Sequence, residues 1–385
     1  MFINTVFANT YVRISSFSAE KAFFKGTDFP AVLSRYHSFY HHNTGLSIFI
    51  PSCYYADDKY LVLNDYKECK RMKRALLCSV ILAGLPVGAA AQTYAEKLGW
   101  PDGARVLMIH ADDAGMSHAS NEGIIATLEA GTVTSASIMM PCSWVPGFVA
   151  YLNEHPGVDA GLHLTLTSEW RPYRWGPVAG RDATPGLVDD SGYMHANVRG
   201  VLENATPDEV EAEIRAQIAL AEKMGVNITH LDSHMGTLYA IPAFFERYVK
   251  VAIEKQIPLL IGAVGASADP EESQIYRLLL PYLDKVWAAG LPVLDVIDTS
   301  SYDWKDIEKR KDQFIKTIRN LKPGVTWFNV HPTKPTEEGK ALSRNREILF
   351  SDYQILISPE IKQVIEEEGV ILTTWRELKQ RRDAI

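Results

Sequence analysis

The residues best suited to chemistry lie in Met108–Gly115, MIHADDAG, where an apolar run breaks into two adjacent acids, Asp112 and Asp113, and a glycine. Carboxylates at the end of a buried run cost free energy unless each has a charged or hydrogen-bonding partner. Suitable partners recur further along the chain. His163 and Thr165 lie in VDAGLHLTL (158–166), His230, Asp232 and His234 lie in HLDSH, and His331 follows Asn329 in NVHP. Two imidazoles and a carboxylate are a common set for a divalent cation and leave coordination positions for water and substrate. Such a site lowers the pKa of water and polarises a carbonyl oxygen. A second carboxylate beside the first can take the water's proton, and a further histidine, as imidazolium, can protonate a leaving group. Asp112 and Asp113 can divide the binding and proton-accepting roles between them, and the residue types alone leave the assignment open. Each feature also has a plainer reading: acids that cap the following helix, or histidines satisfied within a core.

The elements that must position these residues alternate regularly. Strand-like apolar runs are expected at Arg105–Ala111, Val133–Met140, Val158–Leu166, Ile228–Asp232, 257–263, 292–297, 325–330 and 370–374. Helical patterns fall between them. One starts at Ser117 or Ser120 and stops at Gly131. Another, Phe148–Glu154, is short. A long one is opened by Thr206-Pro207-Asp208-Glu209 and runs to Met224, with a cap, a proline in the first position and acids in the first turn. Further helices are expected at 242–256, 271–288, 303–321 and 358–368, and a last one ends the chain. Two long loops interrupt the pattern, at Thr167–Ala205 and His331–Phe350. The first carries Trp170, Tyr173 and Trp175, which could pack as a lid or stack on a sugar face. Alternation of this kind without a linker means a parallel sheet with helices around it. A span of roughly 290 residues suits a single (β/α) barrel, with an open doubly wound sheet as the alternative. In a barrel the C-terminal strand ends open on one face, so the acids and imidazoles above would meet in one cleft.

The rest of the chain bounds its setting. The 385 residues carry a net charge of −8, and basic residues cluster only at Lys67–Arg74, which argues against a nucleic-acid partner. Met72-Lys73-Arg74, the apolar stretch Ala75–Val87 and Gly88–Ala91 have the layout of a secretory signal peptide cleaved after Ala91. The apolar stretch is short for a membrane span, so no stable span is expected in the mature form. Residues 1–71 show little periodicity and are expected to be an upstream segment outside the mature protein. The expected organisation is therefore 1–71, a signal peptide at 72–91, and a barrel domain at 92–385, secreted or periplasmic. Cys53, Cys69 and Cys78 precede the expected cleavage point, so Cys142 alone leaves no internal disulfide framework.

HADDAG, GLHLTLT, THLDSH and VHP, in that order and spacing, resemble the YdjC-like carbohydrate deacetylases over nearly all of 104–376. The resemblance implies a distorted (β/α) barrel and metal-dependent removal of an acetyl group from an N-acetylated sugar or oligosaccharide. It implies one divalent ion, magnesium or zinc, held by Asp113, His163 and His234, with Asp112 as general base and His331 as general acid. Asp232 and His230 are expected just behind the ligands, Asp232 orienting a histidine. Trp170, Tyr173 and Trp175 are expected to contact substrate. Two features depart from the family pattern: Met235-Gly236 follows His234 where many members continue with histidines, and His110 stands where many have asparagine. The SEW and YRWGP stretch is expected to shape a substrate pocket of its own. Competing readings are another hydrolase on the same barrel, such as a two-acid glycosidase, and a secreted carbohydrate-binding protein. A metal-dependent phosphodiesterase would want basic residues at the strand ends, which lack them. An oligomer is compatible with the sequence.

Overall fold

The computed structural model describes residues 92–265, 274–342 and 345–385. The expected upstream segment, the signal peptide and its cleavage point at Ala91 lie outside the described residues.

Eight parallel strands form one sheet among the described residues: β1 (Arg105–Ala114), β2 (Ser135–Ile138), β3 (Ala160–Leu164), β4 (Leu231–Ser233), β5 (Gly262–Gly265), β6 (Leu294–Asp298), β7 (Gly324–Val330) and β8 (Ile371–Leu372). Their order is β4-β3-β2-β1-β7-β6-β5. The two ends of this row meet. Leu231 bridges Leu259 in parallel, its N–H donates to the Pro258 carbonyl at 2.9 Å, and its own carbonyl accepts the Leu260 N–H at 2.8 Å. β8 pairs with β1 at Val106 and Leu107, whereas β2 joins β1 from His110 onward. Seven strands thus make the wall and β8 wedges into its lower edge, giving a distorted (β/α) barrel. This closure excludes the open doubly wound sheet.

The apolar run that opens β1 is buried throughout from Val106 to Ile109. Strands of a parallel sheet are covered on both faces, so an unbroken apolar run is what such a strand requires. β1 runs on through both acids to Ala114, three residues past the expected end. At the bottom of the barrel, Asp295 accepts N–H bonds from Tyr94, Ala95 and Val325 at 2.7, 3.0 and 2.8 Å. It thereby fastens the first helix, α1 (Tyr94–Lys97), under β7.

The helices that matter for the cleft follow the strand ends. α2 (His118–Glu129) starts at Ser117, whose hydroxyl accepts the Ser120 N–H at 3.0 Å. α3 spans Val145–Glu154. The loop expected at Thr167–Ala205 contains a helix, α4 (Val198–Asn204), capped by the Asn197 side chain on the Gly200 N–H. Seven residues are too few for a 3.6-residue period to stand out. α5 (Pro207–Lys223) has the expected start, a capping box between Thr206 and Glu209. It also fastens the long loop. Buried Glu213 accepts N–H bonds from Val178 and Ala179, and Gln217 pairs with both backbone groups of Thr165. Around the remainder run α6 (Pro242–Lys255), α7 (Gln274–Ala288) and α8 (Arg310–Arg319), followed by α9 (Glu337–Leu342), α10 (Arg346–Leu356), α11 (Pro359–Glu367) and α12 (Trp375–Asp383). The second expected loop, His331–Phe350, therefore holds α9 and the start of α10. No helix among the described residues is long and apolar enough to cross a membrane.

Candidate active site

In a regular strand, Asp112 and Asp113 would point to opposite faces. Here the register with β2 shifts between Ala111 and Ala114, and Asp113 adopts φ 69°. Aspartate enters this left-handed region more readily than most residues. The irregularity turns both carboxylates into the cleft. His163 shows this directly: its Nδ1 is 3.9 Å from Asp112 Oδ1 and its Nε2 is 3.5 Å from Asp113 Oδ1.

Asp113, His163 and His234 form one buried cluster. Asp113 Oδ1 faces His163 Nε2 at 3.5 Å and His234 Nδ1 at 3.4 Å, yet accepts no hydrogen bond. Each imidazole gives its other nitrogen to a different carboxylate. His163 Nδ1 lies 2.6 Å from Asp232 Oδ1, and His234 Nε2 lies 2.7 Å from Glu169 Oε1. A buried acceptor without a hydrogen bond, faced by one nitrogen from each of two anchored imidazoles, fits a divalent cation. Zinc ligands at about 2.1 Å in tetrahedral array would stand about 3.4 Å apart, which matches both separations.

The electrostatics agree. Burial opposes ionisation of Asp113, but the facing imidazole of His234 and the charges of His331 and His163 outweigh it and hold its carboxyl well below the usual range. Burial alone would lower His234. The charge of Glu169 and the contact with Asp113 overcome that and raise it to about 10, so a cation entering this site must displace a proton.

Asp112 meets the β7 side of the same cleft. Its Oδ2 accepts the Asn329 amide at 3.1 Å and lies 3.5 Å from His331 Nε2, while its Oδ1 is 3.3 Å from His110 Nε2. Burial opposes its ionisation, and the charge of His163, the His110 contact and the charge of His331 together hold its carboxyl below the ordinary value. His331 is the more open partner, with 15% of its side chain exposed. Its backbone N–H donates to Asp352, and its ring lies against Tyr302. The arrangement therefore provides an ionised carboxylate and a solvent-reached imidazole side by side, next to the cluster of Asp113, His163 and His234.

The family model for YdjC-like proteins matches residues 106–367. The chain belongs to the YdjC-like family. It is 30% identical over 289 residues to a carbohydrate deacetylase of Thermus thermophilus, covering 74% of this chain and 97% of that one. It is 26% identical over 276 residues to a carbohydrate deacetylase of Brevibacillus brevis, covering 71% and 99%. Among solved structures, a proposed cellobiose-phosphate cleavage protein of Enterococcus faecalis superposes with a TM-score of 0.60 at 25% identity. That match covers 71% of this chain and 99% of that one.

In this YdjC-like chain the strand-end residues picked out from the sequence do converge. Asp232 lies beside this cluster: besides His163, it holds His110 Nε2 at 3.0 Å through Oδ2. His230 lies deeper. It is fully buried, stacks on Trp375, and comes no nearer than 3.5 Å to Asp232. His110, which stands where many members have asparagine, joins Asp112, Asp232 and the Ser137 hydroxyl in one buried network. Burial would lower its pKa, but hydrogen bonds to the two aspartates raise it to about 9.

The three aromatic residues of the long loop separate. Trp170 is half-buried, with its ring 6.2 Å from that of His234. Trp175 is buried and donates its indole N–H to the Thr167 carbonyl, and Tyr173 accepts the Ser143 N–H through its hydroxyl. These two brace the loop, Trp175 from within the fold and half-buried Tyr173 from its edge. Glu169 was not singled out from the sequence. Its only signal there was an acid beside a tryptophan, because its partner His234 is 65 residues away.

Proposed function

We propose that this chain is a divalent-metal-dependent deacetylase that removes an acetyl group from an N-acetylated sugar or oligosaccharide. The observation that carries the reading is the unpartnered, buried Asp113 Oδ1, faced by His163 and His234 with their far nitrogens anchored on carboxylates. The relatives named carbohydrate deacetylases support the substrate class.

Asp113, His163 and His234 would hold the ion, which supplies Lewis-acid activation of water and of the acetamide carbonyl when bound. The ligand separations suit a tetrahedral site, which favours zinc over magnesium. Asp112, whose carboxyl is held ionised, accepts the proton from the attacking water. Asn329 donates to its Oδ2 and holds the carboxylate in place. His331 protonates the departing amine, since it is the site imidazole with access to solvent. The amide C–N bond breaks, water supplies the new C–O bond, and the products are acetate and a free amino sugar. Trp170 would present a ring face to the sugar at the cleft mouth.

The test is acetate release from a panel of N-acetylated and O-acetylated glycans, with and without chelator, while the glycosidic bonds are monitored. Release from N-acetylated glycans that stops with chelator and leaves those bonds intact supports the reading. Cleavage of the glycosidic bond without acetate would replace it with the glycosidase. Binding without turnover would leave a carbohydrate-binding protein. We further propose export through the segment 72–91. The N-terminus of the native protein, determined by mass spectrometry, should be Gln92, and peptides from 1–71 would refute this.

A further inference from the structure

We infer that Glu169 is a positioning residue that fixes which nitrogen His234 presents to the cation; this rests on the metal site proposed above. A neutral imidazole has one N–H and one lone pair, so a carboxylate on one nitrogen decides the role of the other. Glu169 Oε1 lies 2.7 Å from His234 Nε2, while Nδ1 on the opposite edge faces Asp113 Oδ1 at 3.4 Å. With the N–H held on Nε2, the lone pair of Nδ1 points at Asp113. Asp232 does the converse for His163, holding Nδ1 at 2.6 Å and leaving Nε2 toward Asp113. The two histidines thus meet Asp113 through different nitrogens, and each needs its own carboxylate to do so.

The loop holds Glu169 in place. Ser168 beside it accepts the Trp175 N–H at 3.0 Å and Arg174 Nε at 3.2 Å, and Thr167 Oγ1 approaches Glu169 Oε2 at 3.4 Å. Trp170 follows immediately with its ring near His234. One three-residue stretch, Ser168–Trp170, therefore ties the wall of the cleft to a metal ligand. That stretch belongs to the long loop expected to give this chain its own pocket.

The experiment is calorimetric titration of the metal-free protein with zinc, in competition with a chelator of known affinity, alongside thermal denaturation of the same metal-free samples. Carboxylates behind a ligating histidine are worth about 10–100-fold in metal affinity. Glu169→Ala should weaken zinc binding by that factor and leave the metal-free melting temperature near wild type. Glu169→Gln still accepts the N–H but lacks the charge, so it should fall between wild type and alanine. His234→Ala should lose more than either. Wild-type affinity in Glu169→Ala overturns the inference, as does wild-type affinity in Glu169→Gln should the alanine variant fail to fold. If the wild-type protein binds neither zinc nor magnesium and His234→Ala matches it, the metal site itself is wrong. That outcome is distinct from a wild type that binds and a Glu169 variant that binds equally well.

Discussion

Asp352 lies outside the cluster of Asp113, His163 and His234, and its replacement should separate folding and turnover from the proposed metal binding. It is fully buried on α10, pairs with the equally buried Arg310 of α8, and accepts the His331 backbone N–H at 3.1 Å. Arg310 in turn donates to the carbonyls of Ser301 and Trp304 at 2.8 and 2.7 Å, and the Ser301 hydroxyl donates to the Asn329 carbonyl. This web holds the end of β7 and the segment that carries Tyr302. Asp352→Ala leaves a buried guanidinium without its carboxylate, which costs about 3–5 kcal/mol, and strands the His331 N–H. For a domain of about 290 residues, a loss of about 4 kcal/mol corresponds to a fall of roughly 6–7 °C in Tm. A positioned general acid contributes about 10²–10⁴ in rate, so misplacing His331 should lower kcat for acetate release at least tenfold. Asp113, His163 and His234 sit on or after β1, β3 and β4, so zinc affinity should stay within twofold of wild type. The double variant Arg310→Met with Asp352→Leu removes both charges. It should recover most of the stability and little of the turnover, because the His331 N–H remains unpaired. Wild-type Tm and kcat in Asp352→Ala would refute the buttressing role. Loss of zinc together with kcat would show that the two halves of the cleft are not separable.

The remaining predictions concern the loop, the metal and pH. Trp170→Ala should raise KM for an N-acetylated oligosaccharide several-fold to tenfold, the worth of one aromatic contact of about 0.5–1.5 kcal/mol, with little change in kcat. Trp175→Ala should instead destabilise the fold by about 3–5 kcal/mol, read in urea denaturation, because that ring is buried. Removing bound metal with chelator should lower Tm, and zinc should restore it in a concentration-dependent way; a Tm indifferent to both would contradict the site. Buried Glu213 should give the fold a pH dependence of its own. Burial outweighs its N–H partners from Ala179 and Val178 and raises its carboxyl to about 7. Between the ordinary glutamate value and about 7 the unfolded chain has released this proton while the native chain keeps it, so stability falls as pH rises, by at most roughly 3–4 kcal/mol. Glu213→Gln should flatten the slope measured by urea denaturation between pH 5 and 7.5, and a slope unchanged from wild type would count against this assignment.

Much of the site was legible because its parts are local. The apolar run ahead of Asp112, the alternation in GLHLTL and the acid between histidines in HLDSH each announce a strand end. Parallel strands then oblige those ends to share a face. What was not legible depends on partners distant in sequence. Glu169 gains its role only when the loop returns to His234, and His110 only when β1 lies beside Ser137 and Asp232. Trp175 reads as a surface aromatic until Ser168 and Thr167 bond its backbone and indole N–H groups. Helices α4, α9 and α10 are not visible in the pattern because short helices are set by caps and packing more than by periodicity.

The least local feature is the backbone at Asp113, because sequence alternation would have put one of the two acids outside. A left-handed residue and a register shift solve a geometric problem: one strand must deliver two adjacent carboxylates, the proposed metal ligand and the proposed proton acceptor, to the same cleft. Such a conformation costs about 1–3 kcal/mol, and the cost depends on the side chain. Asn, like Asp, tolerates positive φ, whereas a β-branched residue does not. Asp113→Asn and Asp113→Val should therefore both lose zinc, since neither supplies a carboxylate. Only the valine variant should also lose stability relative to the asparagine variant, by about 1–2 kcal/mol in metal-free urea denaturation. Equal stabilities would mean that the strand relaxes to regular pairing without its acid. In that case the irregularity would be imposed by the charge of Asp113, through its two facing imidazoles, and not by the turn at Gly115.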